Sequence, residues 1–218
     1  MGLTGFNENT INECLRGVTQ AYSNLNAALR GETQKSFVNE MPKYWASPDA
    51  VKFFGEFKTN FDALIDETNT VYDSIYNSIT SAGQYWAQAT GLGMWYPSVT
   101  FTKIERKIDI TCITDKFSDG NRGVYEDEAQ DHATVLEDVL ANINTQLQAT
   151  YEAAENSGFL GQGQQEQLRT TLEALKNKMK DVFGGQVTAV KGAIKDTVTA
   201  YQNISSDVKS KAFGKTQQ

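Results

Sequence analysis

Between Pro48 and Thr90, apolar side chains recur at spacings of about three and four: Val51, Phe54, Phe57, Phe61, Leu64, Ile65, Val71, Ile75, Ile79, Ala82 and Trp86. That period puts them on one side of an α-helix of roughly 40 residues, about 60 Å long. A stripe of that length faces water unless something packs along it, so the chain must fold back on itself. The partner lies upstream. Ile11, Leu15, Val18, Tyr22, Leu25 and Leu29 make a second stripe, on a helix that starts near residues 7–9. Gly31 weakens this helix, and Phe37 and Met41 carry it on to Pro42.

The connection between the two helices is Tyr44-Trp45-Ala46-Ser47-Pro48-Asp49-Ala50. Pro42 stops the first helix. Ser47 is placed to cap the second, because its hydroxyl can accept from the free amides of the first turn, and Pro48 suits the first helical position, where no amide hydrogen is needed. Asp49 complements the positive end of the helix dipole. Trp45 then sits where a large flat side chain closes the open end of a hairpin.

Gly91-Leu92-Gly93 ends the long helix, and the character of the chain changes after it. Residues 95–117 are rich in β-branched and aromatic side chains, with period-two alternation in Ile108, Ile110 and Cys112 and a phase shift near Lys103 and Ile104. Asp119-Gly120-Asn121-Arg122-Gly123 is a turn signal, and Val124-Tyr125 reads as the start of a return strand. Residues 95–126 are therefore expected to form an antiparallel β insertion that docks on the helices or on another copy, since a lone hairpin is marginal in water.

A third helix is expected over residues 128–155, with the stripe Val135, Leu136, Val139, Leu140, Ile143, Leu147 and Tyr151. A glycine-rich turn, Asn156-Ser157-Gly158-Phe159-Leu160-Gly161-Gln162-Gly163, leads to a fourth over residues 164–211. The fourth stripe runs from Leu168, Leu172, Leu175 and Met179 through Val182, Phe183, Val187, Val190 and Ile194 to Val198, Tyr201, Ile204 and Val208. Gly184-Gly185 marks a place for a kink. The halves align at a shift of 115, which sets Trp45 on Leu160, Phe53 on Leu168, Phe57 on Leu172, Leu64 on Met179, Ile75 on Val190, Ile79 on Ile194 and Trp86 on Tyr201. An internal duplication is expected.

The fold class follows: mainly α, two long antiparallel helical hairpins forming an elongated four-helix bundle, with a small antiparallel β insertion between them. The segments are a hairpin over residues 1–92, the insertion over 93–127, a second, degenerate hairpin over 128–211 and a flexible tail over 212–218.

The first half resembles the Trp-x-Gly (WXG) helical-hairpin family of type VII secretion substrates and partners. The resemblance covers residues 1–92. It rests on Trp45 in the turn, the Ser-Pro-Asp-Ala helix start, Phe53 and Phe57 on the second helix, and the segment Gln84-Tyr85-Trp86-Ala87-Gln88. Phe159-Leu160-Gly161 stands in the second half where that family has its Trp-x-Gly. Ser47 replaces the family's glycine. The family's export signal, a tyrosine followed at the fourth position by an acid, is not matched at Tyr85, which is followed by Ala89, or at Tyr201, which is followed by Ser205. Tyr151 and Glu155 fit the letters but fall at the end of the third helix.

Other motifs are weighed against this. The net charge of −7 argues against nucleic acid as the main partner. Residues 111–168 are the acidic part, with 2 basic and 11 acidic side chains, and residues 169–218 are basic, with 9 against 4. Cys14 and Cys112 make no disulfide framework and are expected to be free, buried thiols. Asp115, Asp119, Gly120 and Glu126 have the spacing of a calcium loop, but Phe117 holds a ligand position, so an acidic turn is expected. His132, the only histidine, is expected on the surface. Gly161-x-Gly163 lacks the strand and lysine of a phosphate loop. Glu126-Asp127-Glu128 suits the start of a helix. No metal or cofactor is expected. The first residues lack the basic and apolar regions of a Sec signal peptide, and no apolar run approaches the ~18 residues needed to span a bilayer.

The expected function is that of a non-enzymatic protein-interaction module linked to type VII secretion as substrate, adaptor or targeting partner. It would bind protein partners, itself among them, with membrane binding disfavoured, and would be secreted without a cleaved signal peptide or cytoplasmic before export. The residues expected to carry the turns and the interactions are Trp45, Ser47, Pro48, Tyr85, Trp86, Trp95, Tyr96, Phe159, Leu160 and Gly161. A structural subunit of a phage or virus particle is the alternative, and a helical pore-forming protein the third reading.

Overall fold

A computed structural model describes residues 7–118, 120 and 122–213. The fold is mainly helical, with bundle-like packing and a very small antiparallel sheet. The first helix, α1 (Glu8–Asn26), begins at Asn7, whose Oδ1 accepts from the amides of Asn9 at 3.0 Å and Thr10 at 3.4 Å. It continues as a π-helical segment, Ala27–Val38, whose wider turn extends to Asn39 N–H donating to Gln34 O at 3.0 Å. Thr33 and Phe37 in this segment and Met41 just after it are all buried. A 3-10 turn (Met41–Lys43) and strand β1 (Trp45–Ala46) lead to α2 (Pro48–Ala89). After an extended segment come α3 (Thr111–Ser118), β2 (Gly123–Val124), α4 (Glu126–Ala133), α5 (Val135–Asn156) and α6 (Gln162–Phe213).

Two compact units share these helices. The first comprises Met1–Gly31, Asp62–Lys107 and Val139–Asp181; the second comprises Glu32–Phe61, Ile108–Asp138 and Val182–Gln218. The expected segments meet at residues 92 and 127, whereas the units divide the chain after residues 31, 61, 107, 138 and 181.

The core of the first unit takes Ile11, Leu15, Val18, Tyr22 and Leu25 from α1, Leu64, Ile65, Tyr72, Ile75 and Ile79 from α2, Val139, Ile143 and Leu147 from α5, and Leu168, Leu172, Leu175 and Met179 from α6. Gly17 lets α1 approach α5 closely, since a Cβ there would lie 2.7 Å from Ala153 Cβ. Tyr72 packs on Tyr22 and its hydroxyl meets that of Thr150. The core of the second unit is aromatic. Phe37, Trp45, Phe53, Phe54, Phe57, Phe61 and Phe183 pack with neighbouring ring centroids 5.0–6.4 Å apart, within the range for favourable aromatic pairs.

The insertion departs from expectation. Residues 93–110 form no strand. They lie as an extended strap, and α3 follows where a strand through Cys112 was expected. The antiparallel pairing is present, but β2 pairs with the Trp45 turn, Trp45 opposite Val124 and Ala46 opposite Gly123. The third helix is two, α4 and α5, separated at Thr134, whose hydroxyl turns back to Asp131 O at 2.6 Å. Glu126, Asp127 and Glu128 occupy the first turn of α4. The helix α6 runs through Gly184 and Gly185 without a break.

His132 is half-buried rather than on the surface. It stacks on Phe37 at 6.0 Å, lies 5.3 Å from the Tyr44 ring, and its Nε2 is 3.3 Å from Phe37 O. The expected stripes also outlast their partners, because Trp86 on α2 and Ile204 and Val208 on α6 are exposed. Of the calcium-loop and turn positions, Asp119 and Asn121 lie outside the described residues, as do residues 214–218 of the expected tail; Ala212 and Phe213 are the last residues of α6.

Candidate protein-interaction surface

In the second unit the Trp45 turn is an internal anchor. Trp45 is 1% exposed, and its indole Nε1 donates to Thr197 Oγ1 on α6 at 3.1 Å. The Thr197 hydroxyl has one proton of its own, within reach of Ala193 O at 2.9 Å and Asp49 Oδ2 at 3.1 Å. Ser47 is buried and caps α2 as expected, its Oγ accepting from Ala50 N–H at 3.0 Å, and Pro48 is the first helical residue. The pairing with β2 is extended by Tyr125 N–H donating to Tyr44 O at 2.8 Å. The turn is therefore closed by its own chain, and Trp45 is not available to a partner.

In the first unit the strap runs antiparallel to α2. Trp95 lies at Gly83 and Gln84, Val99 and Phe101 at Tyr76, Lys103 at Asp73, Ile104 at Asn69 and Lys107 at Asp66. An extended chain advances ~3.3 Å per residue against ~1.5 Å in a helix, so a short strap covers a long stretch of α2.

With no neighbouring strand, helix side chains satisfy the strap's backbone. The Gln84 side-chain amide meets both the N–H and the carbonyl of Trp95. Asn12 Oδ1 accepts from Ser98 N–H at 3.0 Å, and Tyr76 donates to Val99 O. Around Ile104 the bonds close into a ring. Its N–H donates to the Tyr22 hydroxyl at 2.7 Å, that hydroxyl donates to Asn69 Oδ1 at 2.6 Å, and Asn69 Nδ2 donates to Ile104 O at 3.1 Å. Burial raises the Tyr22 phenol above its ordinary pKa, so it holds its proton as donor. In the second unit the Gln34 side chain treats Asp109 as Gln84 treats Trp95, donating to its carbonyl and accepting from its N–H, each at 2.7 Å.

The aromatic group at the junction of α2 and the strap separates into two roles. Trp95 is 4% exposed and lies over Gly83, so it fastens the strap. Tyr85, Trp86 and Tyr96 are 71%, 39% and 69% exposed, and two residues not singled out from the sequence join them, Leu92 at 58% and Met94 at 72%. A signal for this surface was present in the sequence: residues 74–102 contain no Asp, Glu, Lys, Arg or His. Leu92 and Met94 are held by a defined helix end. Gly91 and Gly93 have φ of +79° and +78°, Leu92 N–H donates to Ala87 O at 2.9 Å, and Gly91 N–H donates to Gln88 O at 3.1 Å.

The glycine turn before α6 is a local cap. Leu160 is buried, Phe159 half-buried, and Gly161 N–H donates to Gln164 Oε1 at 3.0 Å. Of the pairs aligned at the shift of 115, all from Trp45 and Leu160 to Ile79 and Ile194 are buried on both sides; only the last, exposed Trp86 and half-buried Tyr201, is not. Both cysteines are free thiols, and burial raises the pKa of each, which makes them poor nucleophiles. Cys112 is half-buried on α3, with Sγ 3.5 Å from Val38 O. No helix among the described residues is long and apolar enough to cross a membrane.

Compared with known proteins, the chain matches no family model, no curated protein and no solved structure.

Proposed function

We propose that the chain is a non-enzymatic protein-interaction module that works with a type VII secretion machinery as substrate, adaptor or targeting partner. The observation that carries this reading is the Trp45 turn. The residues on which the resemblance rests do local work in the fold: Trp45 anchors the turn on Thr197, Ser47 caps α2 and Pro48 starts it. The second half of the chain packs on the first in each unit, through Gly17 with Ala153 and Tyr72 with Thr150 in one, and Phe61 with Phe183 and Trp45 with Thr197 in the other. It thus supplies in one chain the contacts that a separate hairpin would otherwise bring. Partners are left the uncharged aromatic surface around Trp86 and Met94.

Neither Tyr85 nor Tyr201 is followed at the fourth position by an acid, so a partner that carries the export signal is part of the proposal. The chain would be cytoplasmic before export. The test is to produce it, with its neighbouring genes, in cells with and without the membrane-bound secretion ATPase and to measure it in the medium. ATPase-dependent release, or co-purification with the ATPase, is expected. Release that ignores the ATPase, together with no binding to it, would sink the proposal.

A further inference from the structure

We infer that the groove between α1 and α2 beneath the strap is a binding site for an extended peptide, and that the strap is its built-in, displaceable occupant. The groove reads backbone. Within the first unit, side chains of the two helices bind the main chain of four strap residues. Gln84 holds the N–H and carbonyl of Trp95, Asn12 accepts from Ser98 N–H, Tyr76 donates to Val99 O, and Tyr22 and Asn69 hold the N–H and carbonyl of Ile104. None of these bonds uses a strap side chain, so another extended chain with amides at those positions can make them. Three side-chain sites select the occupant. Gly83 presents bare backbone to the ring of Trp95. The rings of Tyr22 and Tyr76 flank Phe101, with centroids 4.7 and 5.7 Å away. Asp73 and Asp66 pair with Lys103 and Lys107. The matching partner is an extended segment of another protein with a large aromatic residue, a second aromatic six positions on, and bases eight and twelve positions on, the pattern of Trp95, Phe101, Lys103 and Lys107.

The strap is held in a way that lets it leave while the helices stay folded. Of residues 94–107 only Trp95 is buried, and the others are half-buried or exposed, so release uncovers little apolar surface. The bonds that release breaks end on Gln, Asn and Tyr side chains, whose donors and acceptors water can then satisfy. The pairs Lys103–Asp73 and Lys107–Asp66 lie at the surface, where ion pairs contribute little. At the upstream end stand Gly91 and Gly93, which have no Cβ to hinder rotation of the backbone. The site is distinct from the exposed surface around Trp86 and Met94, and it rests on the strap's own contacts rather than on the secretion reading.

The probe is a fluorescein-labelled peptide of residues 93–107, titrated into the full-length chain and followed by fluorescence anisotropy. In the wild-type chain the strap competes as a tethered ligand, at an effective concentration on the order of millimolar. Trp95→Ser with Phe101→Ser weakens the tethered strap and leaves the groove intact, so the peptide should bind this variant about tenfold or more tighter than wild type. Charge reversal in the peptide, Lys103→Glu with Lys107→Glu, should weaken that binding by about tenfold, and adding Asp66→Lys and Asp73→Lys to the protein should restore it. Equal binding to wild type and variant overturns the inference, as does binding indifferent to the charge reversal, or no binding at all. A second measurement needs no variant. In the wild-type chain the amides of Trp95, Ser98 and Ile104 should exchange hydrogen with one shared protection, about tenfold or more below that of amides in the middle of α2. Exchange of these amides only together with those of α2 overturns the inference, because the strap then leaves only when the bundle unfolds. No secretion component enters either experiment, so a negative result leaves the secretion proposal standing, and a positive one survives that proposal's failure.

Discussion

The side-chain amide of Gln84 pairs with the backbone of Trp95 as a neighbouring strand would, its Nε2 donating to the carbonyl and its Oε1 accepting from the N–H. This one side chain anchors the start of the strap. Replacing it by alanine leaves two part-buried backbone groups without that partner, at a cost of about 1–2 kcal/mol. Hydrogen exchange at the Trp95 amide should accelerate more than at amides in the middle of α2. Gln84→Glu separates the two bonds. At neutral pH the introduced carboxylate still accepts from the N–H but faces the carbonyl without a proton to give. The carbonyl oxygen favours the protonated acid, so the folded-state pKa of the introduced carboxyl is expected to rise. Stability of that variant should therefore be lower at neutral pH and partly recover as pH falls toward the carboxylate range, which urea titrations at several pH values would read.

Two glycines of α2 should respond to alanine with opposite signs. Gly→Ala in a helix interior favours folding by up to ~1 kcal/mol. At Gly55 nothing lies within 4 Å of the new Cβ, so the gain is realised and the melting temperature should rise by roughly 2–4 °C. At Gly83 the Cβ would lie 2.6 Å from Trp95 Cζ3. That ring is buried and its backbone is bound to Gln84, so it cannot move aside freely, and overpacking costs about 1–3 kcal/mol. Gly83→Ala should lower the melting temperature and shift the tryptophan emission to the red. An unchanged emission would mean that Trp95 is not seated on Gly83.

The helices were legible because burial along them follows one period. Ile11 to Leu25 and Phe54 to Ile79 are buried as spaced, except that Val71 is half-buried and its neighbour Tyr72 takes the core position, and Ser47 caps α2 as its side chain predicts. The strap was misread for a physical reason. Any extended chain lying on a surface shows period-two burial, and Trp95, Val99 and Phe101 turn inward, with the phase shift at Lys103 and Ile104 seen in the sequence. Alternation reports an extended backbone with one covered side. It does not report whether a strand or a helix covers it. The partners here are Gln84, Tyr76, Asn69 and Tyr22, polar residues 11–82 positions from the backbone groups they bind. No local pattern announces such pairs. The interaction surface was half legible. Tyr85, Trp86 and Tyr96 stood out by residue type, but only the seating of Trp95 beside Gln84 shows which of the aromatics face outward, and it brings Met94 with them.

Tyr72 should give the fold an alkaline limit. Burial raises its phenol well above the usual value, and Tyr22 is raised for the same reason. Near pH 10 a tyrosine in the unfolded chain loses its proton while these two keep theirs. The native state then binds more protons, so stability falls as pH rises through that value and is fully present below it. Tyr72→Phe should flatten the fall measured by urea titration at successive pH values above 9. At neutral pH it should cost only about 0.5–1.5 kcal/mol, because Thr150 still donates to Gln146 O at 3.0 Å. If the slope above pH 9 is the same in both proteins, Tyr72 is not the group that limits it.

Trp45 and Thr197 should behave as one unit. Trp45→Ala removes a fully buried side chain and should cost about 3–5 kcal/mol. Trp45→Phe keeps much of the apolar bulk among Phe53 and Phe54 but removes the indole donor, which leaves Thr197 free to serve Ala193 O and Asp49. Thr197→Val is the harsher change to the bond itself, since it leaves the indole N–H buried without its acceptor, at about 1–3 kcal/mol. In the double variant Trp45→Phe with Thr197→Val no donor remains to be orphaned. The combined cost should therefore fall short of the sum of the two single costs by about 1 kcal/mol. Urea unfolding of the four proteins measures the coupling. Strict additivity would mean that Trp45 holds the turn by its volume alone, and that the bond to α6 adds nothing.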